Sequence, residues 1–317
     1  MPTPVLPAAK RYELAQAAVA GGHLAVGTWR PTTAAAEDPG LPVLAIHGIT
    51  GNHRCWHYLA DCVPDRQVIA PDLRGRGGSY ALPGPYGLGG HAEDMVAVLD
   101  AFGIDRVRVV GHSMGAFVAT VLAYRYPDRV DSLILVDGGM PMTTSRPLAD
   151  EELARDIPEN LAARLDLRFR TKDDAVMFWR MHPAFAHDWS PVVADYARYD
   201  LGGRAPRWRS RAVKDALIED SADILRGSEH RDALDHLAHQ AQWLTASLGL
   251  LGQAPGLYPP PLLLHWVETY PEVIVRPVAG VNHYTIVMSR RGGEAVAAAV
   301  HAADDPVALA SGVAPQA

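Results

Sequence analysis

Val107-Arg108-Val109-Val110-Gly111-His112-Ser113-Met114-Gly115, with the apolar run Ala116 to Tyr124 directly behind it, sets a strand, a sharp turn and a helix in immediate succession. Residues 111–115 read G-x-S-x-G. The flanking strand and helix are the context in which that motif acts as a nucleophile elbow, a turn that lifts a serine above the edge of a sheet. Gly111 and Gly115 are expected to serve the turn in two ways: by taking backbone angles that a Cβ resists, and by letting the helix lie close to the strand. A bare G-x-S-x-G recurs by chance, so the weight of the reading falls on what surrounds it.

Outward from this point the chain alternates. Residues 12 to 30 form a weakly patterned first hairpin about Gly21-Gly22, followed by a loop from Pro31 to Pro42. Val43 to Ile46 leads to a helix around Arg54 to Cys62, and Gln67 to Ala70 leads through a Gly-rich loop to a helix from Leu88 to Phe102. Leu133 to Val136 ends in Asp137-Gly138-Gly139. Short β-rich runs alternating with helical patterns predict βαβ crossovers and a parallel sheet. From Met140 to Trp243 the rhythm changes to stretches rich in Ala, Leu, Arg, Asp and Glu, broken by Pro and Gly, which read as several short helices. Strand patterning resumes at Ser247 to Leu251 and Val273 to Val278, and Gly292 to His301 reads as a closing helix. The expected division is a core over 1–140, a helical cap over 141–245, a second part of the core over 246–303 and a tail over 304–317. Roughly 100 residues is too long for a bare loop in a compact domain.

A serine hydroxyl is a poor nucleophile at neutral pH and needs a base. Of the 14 histidines, His283 stands apart because it follows Val273 to Val278 through Ala279-Gly280-Val281-Asn282. Turns that follow parallel strands gather at one edge of the sheet, the edge of the elbow, so Ser113 and His283 are expected to meet across 170 residues of sequence. The base in turn needs a carboxylate to fix its tautomer. The strand end after Leu251 continues Gly252-Gln253-Ala254-Pro255-Gly256, and no Asp or Glu occurs between Asp235 and Glu268. Asp137 is therefore the expected acid, in competition with the ordinary reading of an Asp-Gly pair as an Asx turn. Acyl transfer also needs N–H donors for an oxyanion; these are expected from Met114, directly after the serine, and from Ile49 in the loop His47-Gly48-Ile49-Thr50-Gly51-Asn52. His47 precedes the nucleophile and is read as a residue that packs or hydrogen-bonds to hold that loop.

Four pieces, His47 to Asn52 with Trp56, Asp72-Leu73-Arg74-Gly75-Arg76-Gly77, Gly111 to Gly115, and Asn282-His283-Tyr284, make the sequence resemble the α/β-hydrolase superfamily over residues 12 to 140 and 245 to 303. The resemblance implies an eight-stranded, mostly parallel sheet with a helical cap inserted after the strand that ends at Asp137. It departs from the commonest pattern in one respect, since the acid position after the penultimate strand holds no acid. Some members carry the acid one strand earlier, which matches Asp137. Asp72 to Gly77 resembles the family's structural loop, and the missing Walker lysine argues against a phosphate cradle there.

A serine at position 113 argues against the epoxide hydrolases and dehalogenases of that superfamily, which use an aspartate nucleophile. The expected reaction is hydrolysis of a carboxylic ester, in the broad sense of ester, thioester or lactone, through an acyl-enzyme on Ser113. Competing readings are amide or carbon–carbon bond hydrolysis on the same triad, a cofactor-free oxidase or perhydrolase, and a non-catalytic ligand-binding member. Substrate contacts are expected from Trp56 and, within the cap, from Phe178, Trp179, Met181 and Phe185; Trp189 and Trp208 add further apolar surface. The competing reading is that these aromatics pack the cap onto the core.

Length and composition set the outer bounds. A chain of 317 residues with 48% hydrophobic content can bury a large core. A formal charge of −7 and a pI near 6.0 give no footprint for nucleic acid or an anionic membrane, so a small-molecule substrate is the expected partner. Arg204, Arg207, Arg209 and Arg211 form a basic cluster read as a solvated face, since the insertion holds more acids than bases, with contact to an anionic substrate group as the competing reading. Cys55 and Cys62 lie seven residues apart in one predicted helix, too far for a bridge, and with no Cys/His ligand cluster no metal or cofactor is expected. No basic leader and no run of about 18 apolar residues occurs, so the expected location is the cytoplasm.

Overall fold

Tyr12–Val19 (β1) and Gly22–Trp29 (β2) pair antiparallel about Gly21-Gly22, as the weak alternation predicts. The structure, a computed structural model, describes residues 7–32, 40–142 and 164–304. Most of the expected loop after Pro31, residues 143–163 of the expected cap and the tail beyond 304 lie outside the described residues. The remaining strands are β3 (Val43–Ile46), β4 (Val68–Pro71), β5 (Val107–His112), β6 (Val130–Val136), β7 (Leu201–Arg204), β8 (Arg207–Ser210), β9 (Ala241–Leu248) and β10 (Val273–Asn282). Eight of them form one sheet in the order β1-β2-β4-β3-β5-β6-β9-β10, antiparallel at β1, β2 and β4 and parallel from β4 onward.

The central strands are buried at nearly every position, and mostly apolar, because both faces are covered. On β3, Leu44 and Ile46 join a cluster with α2 (Leu88–Ala101) and α3 (Met114–Arg125), while Val43 and Ala45 join a second cluster with α1 (His57–Cys62). The same alternation runs through β5 and β6: Val109, Leu133 and Leu135 face the first cluster, and Val110, Ile134 and Val136 the second. Each fully buried side chain of this kind contributes roughly 1.5–3 kcal/mol. In α3 all ten residues from Met114 to Ala123 are buried, which explains why the segment behind the elbow is apolar on every side.

Register carries the chemistry to one place. His112 pairs with Val136, and Val136 with Leu244 on β9, so the residues that follow β5 and β6 leave the sheet side by side. Further along β9, Leu248 pairs with Asn282, which delivers the residue after β10 to the same edge.

Several boundaries differ from the sequence expectation. β9 begins at Ala241 and ends at Leu248, upstream of the expected start at Ser247, because Ala241 to Ala246 are all buried between β6 and β10 without the β-branched run that marks a strand in sequence. β10 continues to Asn282 through a register shift after Val278, with Gly280 at φ +73° inside the irregular stretch where the sequence predicts a free turn. The segment between β6 and β9 contains α4 (Lys172–Arg180), α5 (Pro191–Tyr199), α6 (Lys214–Arg226) and α7 (Glu229–Asp235), as the helical reading predicts. It also contains the unexpected hairpin β7–β8, whose chain reverses between two Gly-rich and Arg-rich arms that lack β-branched residues. A helix α8 (Pro260–Thr269) between β9 and β10 has no counterpart in the expectation, and α9 (Thr285–Met288) and α10 (Arg290–Ala302) close the described chain. No helix among the described residues is long and apolar enough to cross a membrane.

Candidate active site

Ser113 stands between β5 and α3 at φ 55° and ψ −124°, a conformation that side-chain-bearing residues rarely adopt. The strain sits on the serine itself and not on the flanking glycines, which corrects one of the two roles expected of Gly111 and Gly115. Their other role is plain: a Cβ on Gly111 would lie 2.3 Å from the Gly115 carbonyl oxygen, and one on Gly115 would lie 2.1 Å from that of Ile46. Among described residues other than glycine, positive φ occurs at Ser113 and at Asp137, φ 46°, both at this rim.

The three predicted side chains meet. His283 Nε2 is 3.1 Å from Ser113 Oγ, and His283 Nδ1 is 2.7 Å from Asp137 Oδ2. Asp137 and His283 are buried, while Ser113 keeps partial access. With Nδ1–H donating to the carboxylate, Nε2 is left as the acceptor that a serine hydroxyl proton requires. The second carboxylate oxygen, Asp137 Oδ1, accepts from the Ala246 N–H of β9 at 3.0 Å. Asp137 thus leans from the end of β6 onto the neighbouring strand, which is how an acid one strand early reaches the same imidazole.

Two supports for His283 are not legible in the sequence. His112 Nε2 donates to the His283 carbonyl at 2.8 Å, and burial pushes the His112 imidazole well below its usual range, in keeping with a neutral donor. Asn282 Oδ1 accepts from the N–H groups of Tyr284 and Thr285, each at 3.0 Å, while its amide donates to Ala184 O of the inserted segment at 2.7 Å. His112 is the variable residue of the motif, and nothing in its sequence context marks it as a donor.

Ile49 and Met114, the expected oxyanion donors, both border the cavity above Ser113, and Met114 opens α3, where backbone N–H groups have no partner within the helix. The Ile49 loop is held from below. His47 Nδ1 donates to Gly48 O at 2.8 Å, and its Nε2 accepts from Leu73 N at 2.9 Å; burial lowers its pKa to about 4, so it holds the loop as a neutral ring. Arg76, fully buried, donates through Nε to Ile49 O at 2.9 Å and pairs through Nη2 with Asp220 of α6 at 2.5 Å. Asp220 also takes His91 Nε2 at 3.1 Å and Gly87 N–H at 2.6 Å; burial opposes its charge, and the His91 and Arg76 partners override that cost and hold the pKa at about 2. Asp72 plays the structural part expected of its loop: its oxygens accept from His53 N and Nδ1, Gly78 N and Tyr199 Oη, all within 2.9 Å.

A cavity of about 450 Å³ opens onto Ser113 and His283. Its walls come from the Gly48 to Gly51 loop, Phe117, α6, the Leu250 to Tyr258 segment and α9. The five residues expected to contact substrate do not line it. Trp56 is fully buried beneath the loop, Phe185 is fully buried in the cluster on the α1 face, and Met181 is 75% exposed. Phe178 and Trp179 border a small separate cleft with Arg164 and Asp200. Trp179 and Phe185 pack instead on each other and on Tyr196 and Tyr284, so their apolar area holds the inserted segment to the core. Arg204, Arg207 and Arg209 are exposed, as the solvated reading predicts, whereas Arg211 is half-buried with its guanidinium over the rings of Tyr80 and Tyr199, and none of the four borders the cavity.

The chain is similar to known proteins of one fold. A family model described as alpha/beta hydrolase fold matches residues 42–178. Lipase LipV of Mycobacterium tuberculosis is 31% identical over 201 residues, 56% of this chain and 77% of that protein. Uncharacterized protein Rv2715 of the same species is 42% identical over 101 residues, which cover 32% of this chain and 30% of its own length. The crystal structure of E-2-(acetamidomethylene)succinate hydrolase superposes with a TM-score of 0.73 over 93% of this chain and 99% of that one, at 18% identity.

Proposed function

Because this chain belongs to the α/β-hydrolase fold family, we propose that it is a serine hydrolase that cleaves a carboxylic ester, or the related thioester or lactone, of a medium-sized hydrophobic molecule. The observation that carries the reading is the unbroken chain Asp137–His283–Ser113 with the hydroxyl open to an apolar cavity. In the first half-reaction Ser113 Oγ attacks the acyl carbon as its proton passes to His283 Nε2, and the N–H groups of Met114 and Ile49 take up the charge on the acyl oxygen. His283 then returns the proton to the leaving oxygen or sulfur, giving the acyl-enzyme. In the second half-reaction His283 accepts a proton from water as the water oxygen attacks the acyl carbon, then returns it to Ser113 Oγ as the ester bond to the serine breaks, and the free acid leaves. Asp137 stays ionised throughout and stabilises the imidazolium. Similarity to a protein named as a lipase favours the ester over the amide.

The test is a panel of p-nitrophenyl acyl esters of graded chain length, with an acyl thioester and a lactone beside them. Wild-type protein is expected to turn over at least one, and Ser113→Ala to lower kcat by roughly 10⁴- to 10⁶-fold without loss of fold. No turnover on the whole panel sinks the proposal.

A further inference from the structure

One hydroxyl in the cavity wall has no partner. Ser221, on α6, is 5% exposed, and its Oγ forms no hydrogen bond among the described residues although it borders the cavity. Ile224 and Leu225 line the same wall, three and four residues on, so this face of α6 is apolar except at Ser221. A buried hydroxyl left unpaired opposes folding, and native proteins keep few of them. Its position is also fixed: the preceding residue, Asp220, is tied to Arg76, His91 and Gly87, the same Arg76 that grips Ile49. The hydroxyl and the oxyanion loop are therefore held by a single buried network, a rigid spacing between the reacting carbon and a polar point in the wall.

The rest of the lining sets the charge of what fits. Among the described residues no Lys, Arg or Glu borders the cavity, and its one carboxylate, Asp137, is already paired with His283. Arg164 donates to two residues of the wall, at Thr50 Oγ1 and Tyr284 Oη, but does not itself border the cavity, so among the described residues an ionised group carried in here would meet no direct counter-charge, at a high desolvation cost.

We propose that Ser221 is a specificity-determining residue, and that the substrate is an uncharged ester whose apolar portion carries one hydroxyl or keto oxygen, set to hydrogen-bond with Ser221 Oγ. This rests on the ester-hydrolase reading, and binding separates the two. The probes are straight-chain methyl esters from hexanoate to decanoate and their mono-hydroxy and mono-oxo isomers, titrated calorimetrically into the Ser113→Ala protein. At least one isomer is expected to bind about tenfold tighter than its parent ester, a difference worth ~1.4 kcal/mol. In Ser113→Ala/Ser221→Ala that ratio is expected to fall to about one, and the Tm of Ser221→Ala is expected to match or exceed that of the wild type, since the lost hydroxyl bonds to no group among the described residues. Isomers that bind no tighter than their parents, a ratio that survives Ser221→Ala, or a lowered Tm would each overturn the proposal. Ser221-dependent binding in a protein that turns over no ester would instead overturn the hydrolase reading alone.

Discussion

Ser113, Asp137 and His283 come from three strand ends spread over 170 residues, yet they sit within two hydrogen bonds of one another. Phe178, Trp179, Met181 and Phe185 come from one short stretch between β6 and β9, yet none of them borders the cavity those three residues share. The rim is built by the sheet: parallel register brings the strand ends to one edge, and close backbone approach with positive φ aims the side chains. The inserted segment is built by apolar contact, and the rings of Trp179 and Phe185 serve attachment, while Tyr196, buried against Trp179, also borders the cavity. Sequence proximity says little about the first and misleads about the second.

The largest effect that would sharpen this contrast lies at Asp137. Asp137→Asn keeps the shape of the β6 end but leaves His283 Nδ1 facing an amide, and kcat on the best ester is expected to fall by roughly 10⁴-fold through the wrong tautomer. The fold should survive, because Asn can still accept from the Ala246 N–H. A variant with near-full rate in steady-state assays would show that another carboxylate orients the base. Glu268, the next acid in sequence after the strand end of β9, lies exposed on α8 and does not border the cavity.

What can be read from the chain follows the same divide. The elbow, the histidine and aspartate that meet its serine, and the Gly48–Gly51 loop beside it are legible because each expected chemical role demands a residue type at a strand end, and strand ends show as breaks in β-rich runs. His112, Asn282 and Arg76 are not legible as supports, since their roles depend on which backbone groups the fold brings beside them. The start of β9 escapes the pattern because Ala241-Gln242-Trp243-Leu244 lacks β-branched residues, and its burial comes from β6 and β10. Size and apolarity point to Trp56, Phe178, Trp179, Met181 and Phe185 as pocket residues, but the same two properties describe packing equally well. Ser221 carries no signal at all in the sequence; only the cavity makes a lone serine conspicuous.

A middle-sized effect tests the packing role of the inserted aromatics. Phe185 is fully buried against Trp179, Trp189 and Tyr284, and Phe185→Ala is expected to cost about 3–5 kcal/mol of stability in urea unfolding. Met181 is 75% exposed, and Met181→Ala should stay within about 0.5 kcal/mol. Under conditions where Phe185→Ala remains folded, its KM for the ester should move less than about threefold, because the ring does not touch the cavity. A KM rise with unchanged stability would reverse the comparison and return Phe185 to substrate binding.

The smallest effect is electrostatic and confined to the inserted segment. Asp200 follows α5 beside the cleft lined by Phe169, Phe178 and Trp179, and its Oδ1 has no hydrogen-bond partner among the described residues. Burial raises its pKa to about 7, against the opposing pull of Ser210, Arg164 and Arg211. The unfolded chain ionises this carboxyl near its ordinary value of 3.8. Between those two values the folded protein holds a proton that the unfolded chain has lost, so this residue makes stability fall as pH rises through the window, with the full penalty present above about 7. Asp200→Asn removes the titration while keeping the shape. In urea unfolding its stability should equal that of the wild type near pH 4 and exceed it at pH 8 by on the order of 2 kcal/mol, since partial access of solvent weakens the effect of burial. Parallel stability profiles for the two proteins across that range would mean that Asp200 is ionised in the folded state, paired with Arg164 or Arg211, and that the inserted segment satisfies its polar groups as fully as the rim does.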